Sequence, residues 1–276
     1  MLLKLNDLND AVKSLQRGLN KLGSMLLIDG QFGTGTRDAI ADARITLNRP
    51  GPPDSADDTF QAAVVDVPDL FPPLTAAGVT FIARAEVSNA SAYKRKYQTP
   101  CWPSENSGIT IGIGYDCKFA SRDQLQRDWA GAVPQEVLDR LAPVLLKTGS
   151  KELLAEVEDI VVPLTAAMTV FAKKSLGQCL TETRTSFPQV DALGPARRTA
   201  LVSLVYNRGA ALTDSPDRLE MRKIRDLLAS GHPDDVADQF DAMTRLWDPA
   251  KLAGLIQRRH EEATLWRSGF AALRLE

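Results

Sequence analysis

Histidine and cysteine are scarce. Only His232 and His260, and Cys101, Cys117 and Cys179, occur in 276 residues. Neither histidine lies in an H-E-x-x-H pattern and no Cys/His cluster has zinc spacing, so neither a metal centre nor a cofactor is expected. A cysteine peptidase would need one of the two histidines to activate a thiol, and both sit in charged, helix-like context, which counts against it. The odd, sparse cysteine set makes no disulfide framework, and Cys101 and Cys117 are expected reduced. Charge of one sign is missing too: Lys plus Arg number 33 against 35 Asp plus Glu, a net of −2. A dedicated nucleic-acid binder carries a basic excess, so nucleic acid is not an expected partner. Long apolar runs are absent. The most apolar stretch, residues 160–172 (IVVPLTAAMTVFA), contains a proline and two threonines and falls short of the ~20 residues a membrane span needs. No integral membrane association is therefore expected. The first residues, MLLKLNDLNDAV, lack the basic region and apolar stretch of a secretory leader, so synthesis in the cytoplasm is expected.

What is present is ordinary for a globular protein: 44% hydrophobic and 25% charged residues. The length is nearly twice the ~150 residues typical of one domain, which predicts two. Prolines at 50, 52, 53, 68, 72 and 73 punctuate residues 49–74. Such density reads as a loop followed by a linker. The expected division is residues 1–72 and residues 73–276.

In the first part Val12, Leu15, Leu19 and Leu22 recur at helical spacing up to Gly23. Asp29-Gly30 then signals a turn, and Thr34 or Thr36 could cap a second helix carrying Ile40. The string VKSLQRGLNKLGSMLLIDGQFGTGTRDAI closely resembles the peptidoglycan-binding module of bacterial and phage wall enzymes. Leu15, Gln16, Leu19, Leu22, Gly23, Asp29, Gly30, Phe32, Gly33, Thr36 and Ala39 match its pattern. Ser24 departs from it, standing where an aromatic is frequent. The resemblance implies a small three-helix module and peptidoglycan glycan strands as the partner.

In the second part Thr75 is a plausible helix cap, and Val79, Ile82, Ala83 and Glu86 fall on one helical face. A carboxylate ending an apolar stripe breaks the local pattern, and broken patterns tend to mark function. A carboxyl group sheltered by apolar neighbours keeps its proton near neutral pH, as a general acid must. Residues 108–116 (GITIGIGYD) alternate with period two: Ile109, Ile111 and Ile113 on one face, Thr110, Gly112, Gly114 and Asp116 on the other. Run straight, such a strand would hold Thr110 and Asp116 ~20 Å apart. A shared reaction centre requires the chain to turn at Gly112–Gly114, which glycine permits.

Glu86, Tyr93 seven residues on, the T-I-G-I-G segment from Thr110, residues 200–209 (ALVSLVYNRG) and Gly254-Leu255…Arg258-Arg259…Glu262…Leu265 together resemble the phage-type lysozyme family, glycosidases that cleave peptidoglycan. The matches span residues 75–268. In the family's common branch a second carboxylate follows the Glu by nine residues; here that position is Arg95. The chain is instead similar to the pesticin-like branch, in which the Asp follows the T-x-G-x-G-Y segment and matches Asp116. Asp116 ranks first for the second role and Glu105 next, with Cys101 a further rival.

The resemblance implies a mainly α protein with a lysozyme-like α+β domain and a short β-hairpin lobe. It implies hydrolysis of the MurNAc–GlcNAc bond with Glu86 as acid, Asp116 as base or charge stabiliser, and Thr110 orienting water. Tyr93, Tyr115 and Asn207 are the expected substrate contacts, with Tyr93–Tyr97 a solvated loop lining a glycan cleft. Asn207 also reads as a helix C-cap or a brace near that cleft. Arg258, Arg259 and Glu262 read as an intrahelical ion pair, and Trp247, Leu265 and Trp266 as core. A monomeric modular endolysin, reaching the wall through a holin or by lysis, is the first reading. An antibacterial effector or bacteriocin, and a non-catalytic wall-binding protein, are the alternatives.

Overall fold

The computed structural model describes residues 1–275, and it is mainly helical. The chain opens with β1 (Leu3–Lys4), α1 (Asp10–Lys21), α2 (Thr34–Thr46), β2 (Ser55–Ala56) and α3 (Asp58–Val65). β1 and β2 pair antiparallel, Leu3 opposite Ala56. α1 starts where the Asn9 side chain accepts from the Val12 N–H at 3.0 Å. Val12, Leu15 and Leu19 then pack with Phe32, Ile40, Phe60 and Val64 in a core of their own.

Gln16 is one of several polar residues buried beside that core, 2% exposed. Its Nε2 donates to Asp29 Oδ1 at 2.8 Å, the Gln31 carbonyl at 3.1 Å and Thr36 Oγ1 at 3.2 Å. Its Oε1 accepts from the Gly30 N–H at 2.9 Å. One buried amide thus fixes the 29–31 turn between α1 and α2. Two expectations are corrected here. Thr36 does not cap α2: the helix begins after Gly33 without a side-chain cap, and the Thr36 hydroxyl turns inward to the Gln31 carbonyl. The proline-punctuated stretch is not all loop and linker either. Asp57 caps α3 between the two proline clusters, accepting from the Phe60 N–H at 2.8 Å, and Phe60 and Val64 are core residues.

The later elements are α4 (Thr75–Val87), α5 (Ala90–Lys96), β3 (Thr110–Ile111), β4 (Tyr115–Asp116), α6 (Arg122–Trp129), α7 (Gln135–Leu141), α8 (Lys151–Ala155) and α9 (Leu164–Val170). A π-helical stretch, Phe171–Leu176, leads into α10 (Gly177–Ser186), α11 (Pro195–Arg208), α12 (Leu219–Ala229), α13 (Val236–Ala242) and α14 (Pro249–Ser268). Contacts divide the chain into two compact units, one of residues 1–72 with 83–175, the other of residues 73–82 with the chain from Leu176 on. Within the first, the three-helix segment is docked rather than tethered: Arg84 donates to the Met25 carbonyl at 3.4 Å and Lys94 pairs with Asp42 at 3.6 Å.

In the second unit, α11 and α14 are joined by a buried polar group. Ser203 Oγ donates to Glu262 Oε1 at 2.6 Å, Arg259 donates to the same oxygen at 2.7 Å, and Arg258 reaches the Ser203 carbonyl at 3.1 Å. Burial pushes the Glu262 carboxyl up and the Arg259 guanidinium down to about 10. The expected intrahelical pair is present, but it also clamps a second helix. Trp266 and Leu265 are core; Trp247 is half-buried, with the Arg208 and Arg259 guanidinium groups 5.3 and 6.0 Å from its ring centre.

Replacing Gln16 with Leu should strip the Gly30 N–H of its buried partner and remove the bond Thr36 accepts, while the Thr36 hydroxyl keeps the Gln31 carbonyl. An unsatisfied buried polar group costs ~1–3 kcal/mol. Native-state hydrogen exchange of the full chain should show α1 and α2 amides opening more easily by about that amount, while α11 and α14 amides are unchanged.

Candidate functional site

The alternation of residues 109–116 folds as a hairpin. Ile109, Ile111 and Ile113 are buried. Gly112 and Gly114 take φ of +59° and +74°, the left-handed region glycine occupies without strain, and the chain reverses between them. Thr110 therefore lies directly opposite Asp116, and Ile111 opposite Tyr115. The Cys117 N–H donates to the Ile109 carbonyl at 2.9 Å, so Ile109–Cys117 is a hydrogen-bonded pair and Thr110–Asp116 a non-hydrogen-bonded one. Opposed side chains come closest in pairs of the second kind. On its outer edge Thr110 exchanges both backbone hydrogen bonds with Cys101, at 2.8 and 3.0 Å. Cys101, Thr110 and Asp116 thus form one row across three chain segments, with their side chains on one face.

The Asp116 carboxylate is held from both sides. Gly108 N–H donates to Oδ1 at 3.0 Å and Oδ2 at 3.2 Å, and Lys118 N–H donates to Oδ1 at 2.9 Å. A Cβ on Gly108 would stand 2.4 Å from Oδ1, so that position is closed to any larger residue. Asp116 also caps the short 3-10 turn Cys117–Phe119. Oδ2, carrying only the longer bond, keeps most of its acceptor capacity.

Glu86 occupies the last turn of α4, half-buried, while Val79, Ile82 and Ala83 of its face are buried. The helix stops because Ser88 takes φ +65° and Asn89 caps α5, accepting from the Ala92 N–H at 2.8 Å. Glu86 belongs to the same compact unit as Thr110 and Asp116. Glu105 lies exposed on the segment between Cys101 and Gly108. A cavity of about 460 Å³ opens in this unit between α2 and the residues from Lys94 to Thr165; Asp42, Lys94, Gln98 and Leu164 line it, and Glu86, Thr110 and Asp116 do not.

The tyrosines are turned the other way from the expectation. Tyr93 is fully buried and its hydroxyl donates to the Val162 carbonyl at 2.9 Å. Tyr115 is 6% exposed, edge-on to Trp129 at 5.5 Å, and its hydroxyl donates to Asp128 Oδ2 at 2.9 Å. Burial raises the proton affinity of both hydroxyls, with Asp128 adding to the effect at Tyr115. Neither offers a free surface to a ligand; both are packing residues. Residues 93–96 are helical rather than loop, because Asn89 supplies the cap. In the second unit Asn207 is the penultimate residue of α11, and Gly209, at φ +74°, takes the C-cap position assigned to it. Asp128, Gln124 and Lys174, which gather around the Tyr115 hydroxyl, escaped the sequence reading: no spacing links residues 115, 128 and 174.

All three cysteines are free. Strand alternation puts Cys117 on the face opposite Cys101, which rules out a bridge between them. Burial raises all three thiols, Cys117 and Cys179 to about 12. Among the described residues no group of three or more His, Cys, Asp and Glu is gathered to hold a metal ion, and no helix is long and apolar enough to cross a membrane. Set against protein-family models and curated proteins, the chain matches none.

A thiol raised to about 12 is thiolate to only ~10⁻⁴ at pH 8, against about a quarter for a free cysteine. Iodoacetamide at pH 8 should therefore modify Cys117 and Cys179 at least ~100-fold more slowly in the native chain than in urea, with half-exposed Cys101 reacting first. Mild oxidation should leave three titratable thiols.

Proposed function

We propose that the chain is a peptidoglycan hydrolase of the muramidase type, a phage-type endolysin in which residues 1–72 bind the wall and residues 73–276 carry the chemistry. The observation that supports it is the hairpin. Six positions apart in sequence, Thr110 and Asp116 stand side by side on one face, at the end of a turn whose Gly114 is exposed while Gly112 packs against Trp129 and Ala167. A hydroxyl next to a carboxylate is what orienting and deprotonating a water requires. Glu86, a half-buried carboxyl at the end of an apolar helix face, suits the complementary task of protonating the leaving glycosidic oxygen. The water attacks the anomeric carbon while its proton passes to Asp116 Oδ2. The family resemblance favours inversion, for which the two carboxyl groups stand ~6.5–9.5 Å apart. The resemblance also supplies the substrate: the glycan strand of peptidoglycan, cut between N-acetylmuramic acid and N-acetylglucosamine.

The full chain, added to Gram-negative cells stripped of their outer membrane, should clear the suspension and release reducing sugar ends. General acid–base groups contribute ~10²–10⁴-fold. Glu86→Gln and Asp116→Asn should each lower the rate by that order, while Glu105→Gln stays within twofold of the native chain. Release of free amines in place of reducing ends would identify an amidase or peptidase. Sedimentation with walls and no clearing would make the chain a wall-binding protein without catalysis.

A further inference from the structure

A hairpin of two-residue strands has little stability of its own, so its position must be set by what grips it. The residue beside Asp116 is gripped by a polar group with no part in the chemistry above. The Asp128 side chain, 11% exposed, accepts from the Tyr115 hydroxyl at 2.9 Å, from Lys174 Nζ at 2.6 Å and from Gln124 Nε2 at 2.9 and 3.0 Å. Lys174 Nζ also lies 5.3 Å from the centre of the Tyr115 ring. Three elements meet in this group: β4, α6 and the π-helical stretch that carries Lys174. The wide turn is itself unusual, since π-helical segments are rare and concentrate at functional places.

We propose that Asp128 and Lys174 are positioning residues for the Thr110–Asp116 face, acting through the Tyr115 hydroxyl. As a claim about catalysis this rests on the muramidase reading; as a claim about the hairpin it stands on the geometry alone. Packing does not require the group. A phenylalanine would fill the space of the Tyr115 ring against Trp129, and an apolar pair in place of Asp128 and Lys174 would avoid the desolvation that a sheltered ion pair carries. What the charges add is a fixed point. The Tyr115 hydroxyl gives its single proton to a carboxylate that Lys174 and Gln124 also hold. Asp116, the next residue, cannot shift along the hairpin while that bond is made. Gln124 supports the carboxylate from within α6 and is the minor member.

The test uses the full chain with Tyr115→Phe, Lys174→Met and the rescue variant Lys174→Arg. The Gly108 and Lys118 N–H groups donate to Asp116, so their hydrogen exchange reports on its placement. Tyr115→Phe and Lys174→Met should each speed exchange at those two amides at least 10-fold, with amides of α6 and α9 unchanged. Lys174→Arg should restore native exchange. In the clearing assay the same two variants should lower kcat about 10-fold and leave KM within twofold, a split that general destabilisation would not produce. Unchanged exchange at Gly108 and Lys118 in Tyr115→Phe overturns the proposal whatever the activity. If Lys174→Met does not fold, Lys174→Gln takes its place in the exchange measurement, and native exchange there overturns the role of Lys174. A native chain that releases no reducing ends overturns the muramidase reading, while the exchange result still decides the tether.

Discussion

The reversal at Gly112 and Gly114 is the constraint on which the site depends. Without the two positive-φ glycines that flank Ile113, residues 109–116 would be an extended strand and Thr110 and Asp116 would lie at its opposite ends. With them, the same alternation does two jobs. It buries three isoleucines on one side and sets a hydroxyl against a carboxylate on the other. The pairing type matters as much as the turn. A one-residue slip in register would send Thr110 and Asp116 to opposite faces. The isoleucines resist that slip because it would expose all of them together.

On the proposed reading Asp116 must both brace the hairpin and react, and its two oxygens are held unequally. Oδ1 takes the short bonds from Gly108 and Lys118 and so anchors the ends of the hairpin. Oδ2 has only the longer contact with Gly108. A carboxylate with one anchored oxygen is preorganised: its plane is set before a water or a sugar arrives, and no reorganisation is needed at that moment. The glycine at 108 is part of the same arrangement, because a side chain there would occupy the space that Oδ1 fills.

Local pattern was legible in the sequence, and long-range partners were not. The turn at Gly112–Gly114 and the buried faces of α1 and α4 follow from spacing and residue type over a few positions, whereas the caps at Asn9 and Asn89 were not read from it. Gln16 stood out as part of a motif, yet its task of holding Asp29, Gly30 and Thr36 together appears only once the turn is folded back on α1. α3 was hidden because prolines on both sides outweighed the Asp57 cap and the Phe60–Val64 pair. The tyrosines misled for a physical reason: an amphipathic ring beside a candidate site reads equally well as a ligand platform or as core, and the deciding partners, Val162 and Asp128, lie 69 and 13 residues away. Likewise Arg258, Arg259 and Glu262 showed their helical spacing but not Ser203, which comes from α11 and turns an intrahelical pair into a clamp.

Under the muramidase reading proposed above, the docked state of residues 1–72 bears on how wall binding and chemistry cooperate. A flexible proline-punctuated linker would let a wall-binding module sample a volume, with an effective concentration set by linker length. Here α3 interrupts that stretch, and Arg84 of α4 and Lys94 of α5 hold residues 1–72 in place. The module and the Thr110–Asp116 hairpin then belong to one compact unit. A strand of polymer engaged by the module would meet the hairpin at a set bearing and distance instead of a distribution of them. Such an arrangement gains when the ligand is a stiff, repeating polymer, because each repeat offers the same bearing. It loses when successive targets are irregularly spaced. A glycan strand, with a disaccharide period and little freedom at its linkages, is a ligand of the first kind.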